Sequence, residues 1–381
     1  MQYRKFGKLD FEASALGFGC MRLPTKGGDR SNIDEPEATK MLRYAVDQGV
    51  NYVDTAYGYH DENSERFLGK ALKDGYRQKV KLATKLPPGK VKALEDFDRL
   101  LNEQLEKLQT DHIDFYLFHG LKRDRWHKLS DLGATKWAEG AIADGRIGHI
   151  GFSFHDKYEV FKEIVDGYNG WDFCQIQYNY MNEDVQAGTK GLKYAAERGL
   201  AVVVMEPILG GGLATPPQAI QELWDTAAKR RTPADWALQW LWNKSEVSVV
   251  LSGMSTMEHV RQNVESASNS GIDIVTEDEL ALIGKVREAY EGLKRISCTK
   301  CGYCMPCPNG VDIPLNFEIY NDPVRFDQMD RARKRYPNRV PEGARADACV
   351  QCRECEEECP QEIKISEWMP RVHEELLGPK A

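Results

Sequence analysis

Residues 113 to 120 read IDFYLFHG, a short apolar segment that ends in a histidine and a glycine. It has the length and the β-branched and aromatic content of a strand, and longer stretches of helical periodicity flank it. The same pattern recurs outward in both directions. SALGFGCM (14–21), NYVDTA (51–56) and VKLATKL (80–86) precede it, and IGHIGFSFH (147–155), FCQIQYNYM (173–181), LAVVVMEPI (200–208) and VSVVLSGM (247–254) follow. Between them lie helical stretches such as DEPEATKMLRYAVDQG (34–49), ALEDFDRLLNEQLEKLQ (93–109) and TPADWALQWLWN (232–243), with apolar residues every three to four positions. Strand and helix alternating eight times predict an α/β fold in which the strands close into a parallel (β/α)8 TIM barrel. An open doubly wound sheet would show similar segments, but no GxGxxG follows the first strand and a count of eight closes a barrel.

The whole chain, 381 residues, exceeds one barrel of roughly 250 to 300 residues, so a small second domain is expected. The division predicted is 1–294 for the barrel and 295–381 for a cysteine-rich module. A net charge of -8 argues against nucleic acid or an anionic membrane as partner. No apolar run approaches the roughly 18 residues that span a bilayer. The start, MQYRKFGKLD, lacks the apolar core of a signal peptide. The expected location is the cytoplasm, where clustered thiols bind metal more often than they pair as disulfides.

In a barrel of this kind the chemistry belongs at the carboxyl ends of the strands. The second strand runs into Asp54 and then Tyr59, the third carries Lys85 and the fourth ends at His119. These four make a workable constellation for proton transfer. A tyrosine, with a reference pKa of about 10, donates near neutrality if a neighbouring cation lowers that value. Lys85 would supply the charge, with Asp54 holding the ammonium in place.

Several further pieces occur in a characteristic order: YRKFGKLDFEASALGFGCMRLP, DTAYGYHDENSERFLGKAL, ATK, IDFYLFHG, ADGRIGHIGFS, QIQYN and SGMSTMEHVRQNV. Over roughly residues 1 to 294 the chain resembles the aldo-keto reductases. The resemblance implies hydride transfer between NAD(P)H and a small carbonyl or alcohol substrate. It makes Tyr59 the general acid, tuned by Lys85 and Asp54, with His119 orienting the carbonyl or relaying the proton. It also places Ser153 and Gln175 at the nicotinamide carboxamide, with Met21, Arg22, Asp54 and Met205 around the same cofactor. Pro207 and Gly210 would lie by its pyrophosphate, and Ser255, Gln262 and Asn263 by its adenosine end.

Three departures from the family pattern are visible. Ser153 is followed by Phe154 where Asn is usual, which leaves one carboxamide bond to another group such as His155. Met205 stands where many members stack an aromatic ring, and its thioether still packs on a ring face. Gly253 and His259 replace the Lys and Arg that meet a 2'-phosphate, with Arg261 as a substitute, so NADP and NAD both stay open.

After Leu293 the barrel pattern ends and Lys294 to Ser297 join it to the cysteines. Cys298-x2-Cys301-x2-Cys304-x2-Cys307-Pro and Cys349-x2-Cys352-x2-Cys355-x3-Cys359-Pro carry eight of the ten cysteines. The second spacing is that of bacterial ferredoxins, in which three cysteines bind one [4Fe-4S] cube and the fourth binds the other. Two such clusters are therefore expected. If the ferredoxin crossing holds, one takes Cys298, Cys301, Cys304 and Cys359, and the other Cys349, Cys352, Cys355 and Cys307. Two zinc ions would also use eight thiolates, but repeated triplets suit three corners of a cube better than a tetrahedron. Cys20 and Cys174 read as core residues in strands. Residues 311 to 348 read as a helix-bearing insertion, and ISEWMPRVHEELLG as a last helix packing on the barrel.

The sequence thus points to an oxidoreductase fused to a two-cluster module that exchanges single electrons with a redox partner. A nicotinamide carries two electrons as hydride whereas a cluster passes one, and no flavin motif is visible to join them. Clusters that serve as scaffold or oxygen sensor are a second reading, and a non-catalytic nicotinamide-binding regulator is a third.

Overall fold

The computed structural model describes residues 1–298, 300–326 and 328–378, with 324 and 325 described in their backbone alone. The chain forms two compact units, one of Met1–Gly210 with Ala234–Glu277, the other of Gly211–Pro233 with the chain from Asp278 onward.

The first unit opens with two short strands, β1 (Tyr3–Lys5) and β2 (Glu12–Ser14), paired antiparallel. Eight parallel strands follow: β3 (Leu16–Gly19), β4 (Tyr52–Asp54), β5 (Lys81–Leu86), β6 (Ile113–Leu121), β7 (Ile147–Phe154), β8 (Phe173–Gln177), β9 (Ala201–Met205) and β10 (Val247–Ser252). They pair in chain order, and β10 returns to β3 to close the barrel. Each predicted strand segment contains its observed strand or meets it within a residue. The helix stretches appear as Glu35–Asp47, Glu95–Leu108 and Pro233–Trp242.

The opening hairpin, which the periodicity did not reveal, fills one end of the barrel. Phe6 and Ala13 join Tyr52, Phe115, Leu117, Phe173, Val203 and Val249 in one fully buried cluster. Phe6 lies 4.6 Å, centroid to centroid, from Phe115. Gly7 lets the turn come that close: its φ is +57°, and a Cβ there would meet Ala201 N at 2.5 Å and Gly199 O at 2.6 Å. With that end packed, the carboxyl ends of the strands are where a ligand can enter.

The second unit contains the helices Ile313–Arg325, Met329–Arg339 and Ile365–Leu377. They share a core of Ile313, Phe317, Tyr320, Tyr336, Ile365, Met369, Val372 and Leu376. The last helix thus turns its apolar face into the core of this unit. No helix among the described residues is long and apolar enough to cross a membrane.

Candidate active site and cysteine centre

Asp54 is the last residue of β4 and Lys85 the fifth of β5, and parallel pairing of these strands brings them to the same rim. Lys85 Nζ donates to both Asp54 carboxylate oxygens at 2.7 Å and to the Thr55 carbonyl at 2.6 Å. Both side chains are buried, at 1% and 3% exposure, so three short contacts take the place of water around the ammonium. Burial alone would lower the Lys85 ammonium, but Asp54 and Tyr59 more than offset this and hold it above its usual value. Burial raises the Asp54 carboxyl while Lys85 pulls the other way. The two-pronged geometry marks an ion pair.

Tyr59 reaches this pair from the loop after β4. Its ring centroid is 5.0 Å from Lys85 Nζ, and the His119 ring stands edge-on to it at 6.2 Å. The turn that presents it is strained: His60, Asp61 and Glu62 are all left-handed, at φ 52°, 51° and 71°. His60 secures that turn by accepting the Leu23 N–H at Nε2 (3.2 Å) and meeting the Arg30 carbonyl at Nδ1 (2.8 Å). The phenol differs from the expectation. Burial raises Tyr59 above its usual value, and Lys85 offsets this only in part. Burial, followed by Lys85, His155 and Arg125, pushes His119 down to about 3, so its ring is neutral near pH 7.

Ser153 and Gln175 are register neighbours on β7 and β8, which puts their side chains side by side at the rim. Ser153 Oγ accepts the Gly120 N–H at 2.7 Å. Gln175 Nε2 donates to the Met205 sulfur at 3.8 Å, while its Oε1 is buried with no hydrogen-bond partner. A buried carbonyl oxygen in that state fits an amide N–H such as a nicotinamide carboxamide would bring. Phe154 is fully buried and packs on Phe161.

After β9 the backbone is left-handed at Glu206 (φ 54°), Leu209 (48°), Gly210 (64°) and Gly211 (104°), with Pro207 inside the run. Asn179 braces it, donating from Nδ2 to the Glu206 carbonyl at 3.1 Å. After β10, Ser255 Oγ donates to the Arg22 carbonyl at 3.0 Å, and the aliphatic stem of Arg22 lies against Gly253. His259 is engaged with backbone: its Nδ1 accepts the Ser255 N–H at 3.4 Å, and its own N–H donates to Thr256 Oγ1 at 3.2 Å. Asn263 donates to Ser252 Oγ at 2.9 Å, Gln262 pairs with Glu258 at 2.9 Å, and Met21 is exposed. Arg261 stands over the Tyr44 ring at 6.0 Å.

The residue patterns did not reveal the support behind Lys85. Glu65 is fully buried and its Oε1 accepts from Thr84 Oγ1 and Gln104 Nε2, both at 2.6 Å. Gln104 also donates to the Lys85 carbonyl at 3.2 Å and accepts from the Tyr116 hydroxyl at 2.6 Å. The available signal was an acid on the inward face of an amphipathic helix, in DENSERFLGKAL.

In the second unit the two cysteine loops share one backbone pattern. The second and fourth residues after the first cysteine are left-handed in both: Lys300 (φ 58°) and Gly302 (80°), then Gln351 (58°) and Arg353 (69°). The N–H of Lys300 donates to Cys298 Sγ at 3.4 Å, and that of Gln351 to Cys349 Sγ at 3.4 Å. Such turns aim successive N–H groups into one concavity, as anionic centres need. Cys298, Cys301, Cys304 and Cys359 line one pocket together with Ile313, Phe317, Ile363 and Ile365. Cys307 acts electrostatically on Cys349, and Cys349, Cys304 and Cys307 all act on Cys355. Burial, with neighbouring cysteines adding to it, pushes Cys304 up to about 11 and Cys355 up to about 12. Thiolates gather here only when a cation offsets their charge, which fits an iron-sulfur centre. Cys20 is buried in the turn after β3 rather than in a strand, and Cys174 is buried in β8.

Two family models match successive parts of the chain. The model of the aldo/keto reductase family matches residues 15–281, and that of a 4Fe-4S dicluster domain matches residues 297–363. The chain belongs to the aldo-keto reductase family and is an oxidoreductase with a 4Fe-4S domain at its C-terminal end. It is 26% identical over 296 residues to the probable aldo-keto reductase 1 of Glycine max, an alignment spanning 68% of this chain and 82% of that protein. An uncharacterized oxidoreductase of Schizosaccharomyces pombe is 27% identical over 284 residues, spanning 70% and 85%. Among solved structures, the holo form of aldo-keto reductase AKR11C1 from Bacillus halodurans is 28% identical. It superposes with a TM-score of 0.63 over 75% of this chain and 96% of its own.

Proposed function

We propose that the barrel reduces a small carbonyl compound, or oxidises the corresponding alcohol, with a nicotinamide cofactor. Tyr59 would act as the general acid, and two [4Fe-4S] clusters in the C-terminal part would exchange electrons with a one-electron partner. The observation that carries this reading is the buried Lys85–Asp54 pair beneath Tyr59, with neutral His119 edge-on to the same ring. A nicotinamide held by Ser153 and Gln175 would provide the hydride chemistry. Everything else falls to the chain's own side chains.

A phenol whose proton is held firmly stays intact at neutral pH and gives the proton up as negative charge grows on the carbonyl oxygen. Lys85 stabilises the phenolate left behind, and Asp54 with the Thr55 carbonyl keeps the ammonium from turning away. His119, neutral, offers one N–H to orient the carbonyl oxygen. Ser153 and Gln175 would hold the carboxamide, Met205 would pack near the ring, and Met21 and Arg22 would border it. The left-handed run around Pro207 and Gly210 suits a pyrophosphate, and Ser255, Gln262 and Asn263 would flank the adenosine end. For the clusters, the two ligand sets are Cys298, Cys301, Cys304 and Cys359, and Cys349, Cys352, Cys355 and Cys307. Cys301 and Cys352 are exposed, which gives each cluster one corner open to a carrier.

The test is an anaerobic screen of aldehydes, ketones and sugars with both NADH and NADPH, repeated with Tyr59→Phe. Turnover should fall about 100- to 10,000-fold in the variant. Unchanged carbonyl reduction would remove Tyr59 from the mechanism.

A further inference from the structure

The barrel rim holds a second polar group beside the proton-transfer site. Gly120 follows His119 directly, near the end of β6, and is left-handed at φ +59°. A Cβ on Gly120 would lie 3.0 Å from Arg125 Nη1 and 3.7 Å from His155 Cδ2, so these two side chains converge over the residue next to His119. Arg125 Nη1 donates to the Gly120 carbonyl at 2.9 Å. That bond fixes one edge of the guanidinium, on an exposed side chain with further N–H groups to offer. Neighbouring Arg123 is occupied differently, paired with Glu163 at 3.0 Å. Arg125 has no carboxylate partner among the described residues, although the chain as a whole carries a charge of -8. Burial holds His155 below its usual value; a hydrogen bond with Gln186 and the charge of Glu206 act against this, while Lys122 and Arg125 act with it.

A guanidinium tethered through one nitrogen is pre-organised to grip a planar or tetrahedral anion with the others. We propose that Arg125 and His155 form an anion subsite beside His119, so that the carbonyl substrate of this enzyme carries a carboxylate or a phosphate. The inference rests on the reading of Tyr59 and His119 as the reacting end, since it places the anionic group relative to them.

The experiment uses the full-length, iron-loaded protein under anaerobic conditions. Reduction of 4-carboxybenzaldehyde is compared with that of 4-methylbenzaldehyde, and glyceraldehyde 3-phosphate with glyceraldehyde. The charged member of at least one pair should have the lower KM, and the pair that shows it identifies the anion. Arg125→Ala should reduce the charged-to-neutral ratio of kcat/KM about 10- to 100-fold, mainly through KM, with Arg125→Lys restoring part of it. Binding of benzoate and of inorganic phosphate, followed by tryptophan fluorescence, gives a readout independent of turnover. Absent turnover with Arg125-dependent anion binding would indict the Tyr59 reading and leave the subsite standing. Turnover with no charge preference, a ratio that Arg125→Ala does not move, or anions that bind neither protein would overturn the subsite.

Discussion

The barrel mouth and the cysteine-rich tail both gather reactive side chains, and they hold them by different means. At the mouth the charged groups answer one another: Lys85 has three oxygen acceptors within 2.7 Å, and Glu65, Thr84 and Gln104 brace the strand behind it. That network sits on a large core, so it can exist without any ligand. In the tail, Cys298, Cys304, Cys307, Cys349, Cys355 and Cys359 pack against a small core. Burial holds the thiols of Cys298, Cys304, Cys349 and Cys355 above their usual value, in the neutral form whose proton iron must displace. A region of this size with so few apolar layers normally depends on its metal to fold. The contrast teaches that one chain can carry a site that waits for its ligand and another that is built by it.

The largest effect that would break this contrast is in the tail. Cys307→Ser should cost the protein one of the two proposed clusters, measured as iron per chain. It should also open residues 297 to 363 to limited proteolysis while the barrel resists. A variant with full iron and unchanged digestion would mean that Cys307 is no ligand and that the crossing of the two motifs is wrong. Next in size is Lys85→Met, which strands the Asp54 carboxylate in a dry site. A loss of roughly 3 to 5 kcal/mol from the barrel's unfolding free energy is expected, from the cost of an uncompensated buried charge. Denaturant unfolding checks it, and the tail's iron content should stay constant.

A further effect concerns pH. His119 binds its proton with a pKa of about 3 in the folded protein against 6.5 for the free side chain. Its contribution to stability is therefore complete above pH 6.5 and is lost as pH falls toward 3, because the unfolded chain takes up the proton first. His119→Gln should flatten the acid side of the stability curve between those values. Carbonyl reduction by the parent protein should show no limb near pH 6.5.

Much of this was legible in the residues. The eight barrel strands announce themselves because each is short, apolar and bounded by helical periodicity, and Asp54, Lys85 and His119 stand at strand ends that the pattern locates. The opening hairpin did not show, since YRK and EAS are three-residue strands with no period to detect. The third partner of Lys85 was hidden for another reason: it is the Thr55 carbonyl, and a backbone oxygen leaves no mark in sequence. The raised Tyr59 phenol was missed because a neighbouring lysine can be read from order along the chain, whereas the depth of burial opposing it cannot. The cysteine spacing spoke for iron-sulfur chemistry, but the matching left-handed turns at Lys300 and Gln351 appear only in three dimensions.

The central claim is that the ligand-independent site at the mouth performs proton-coupled carbonyl reduction through Tyr59. It is tested most directly by mixing fully iron-loaded wild-type and Tyr59→Phe protein with NAD(P)H and a reactive aldehyde in single turnover. Nicotinamide oxidation and cluster absorbance are followed together. Rapid nicotinamide oxidation in the wild type, its loss in the variant and equal cluster spectra in both are the predicted result. Equal rates of nicotinamide oxidation in the two proteins would contradict it.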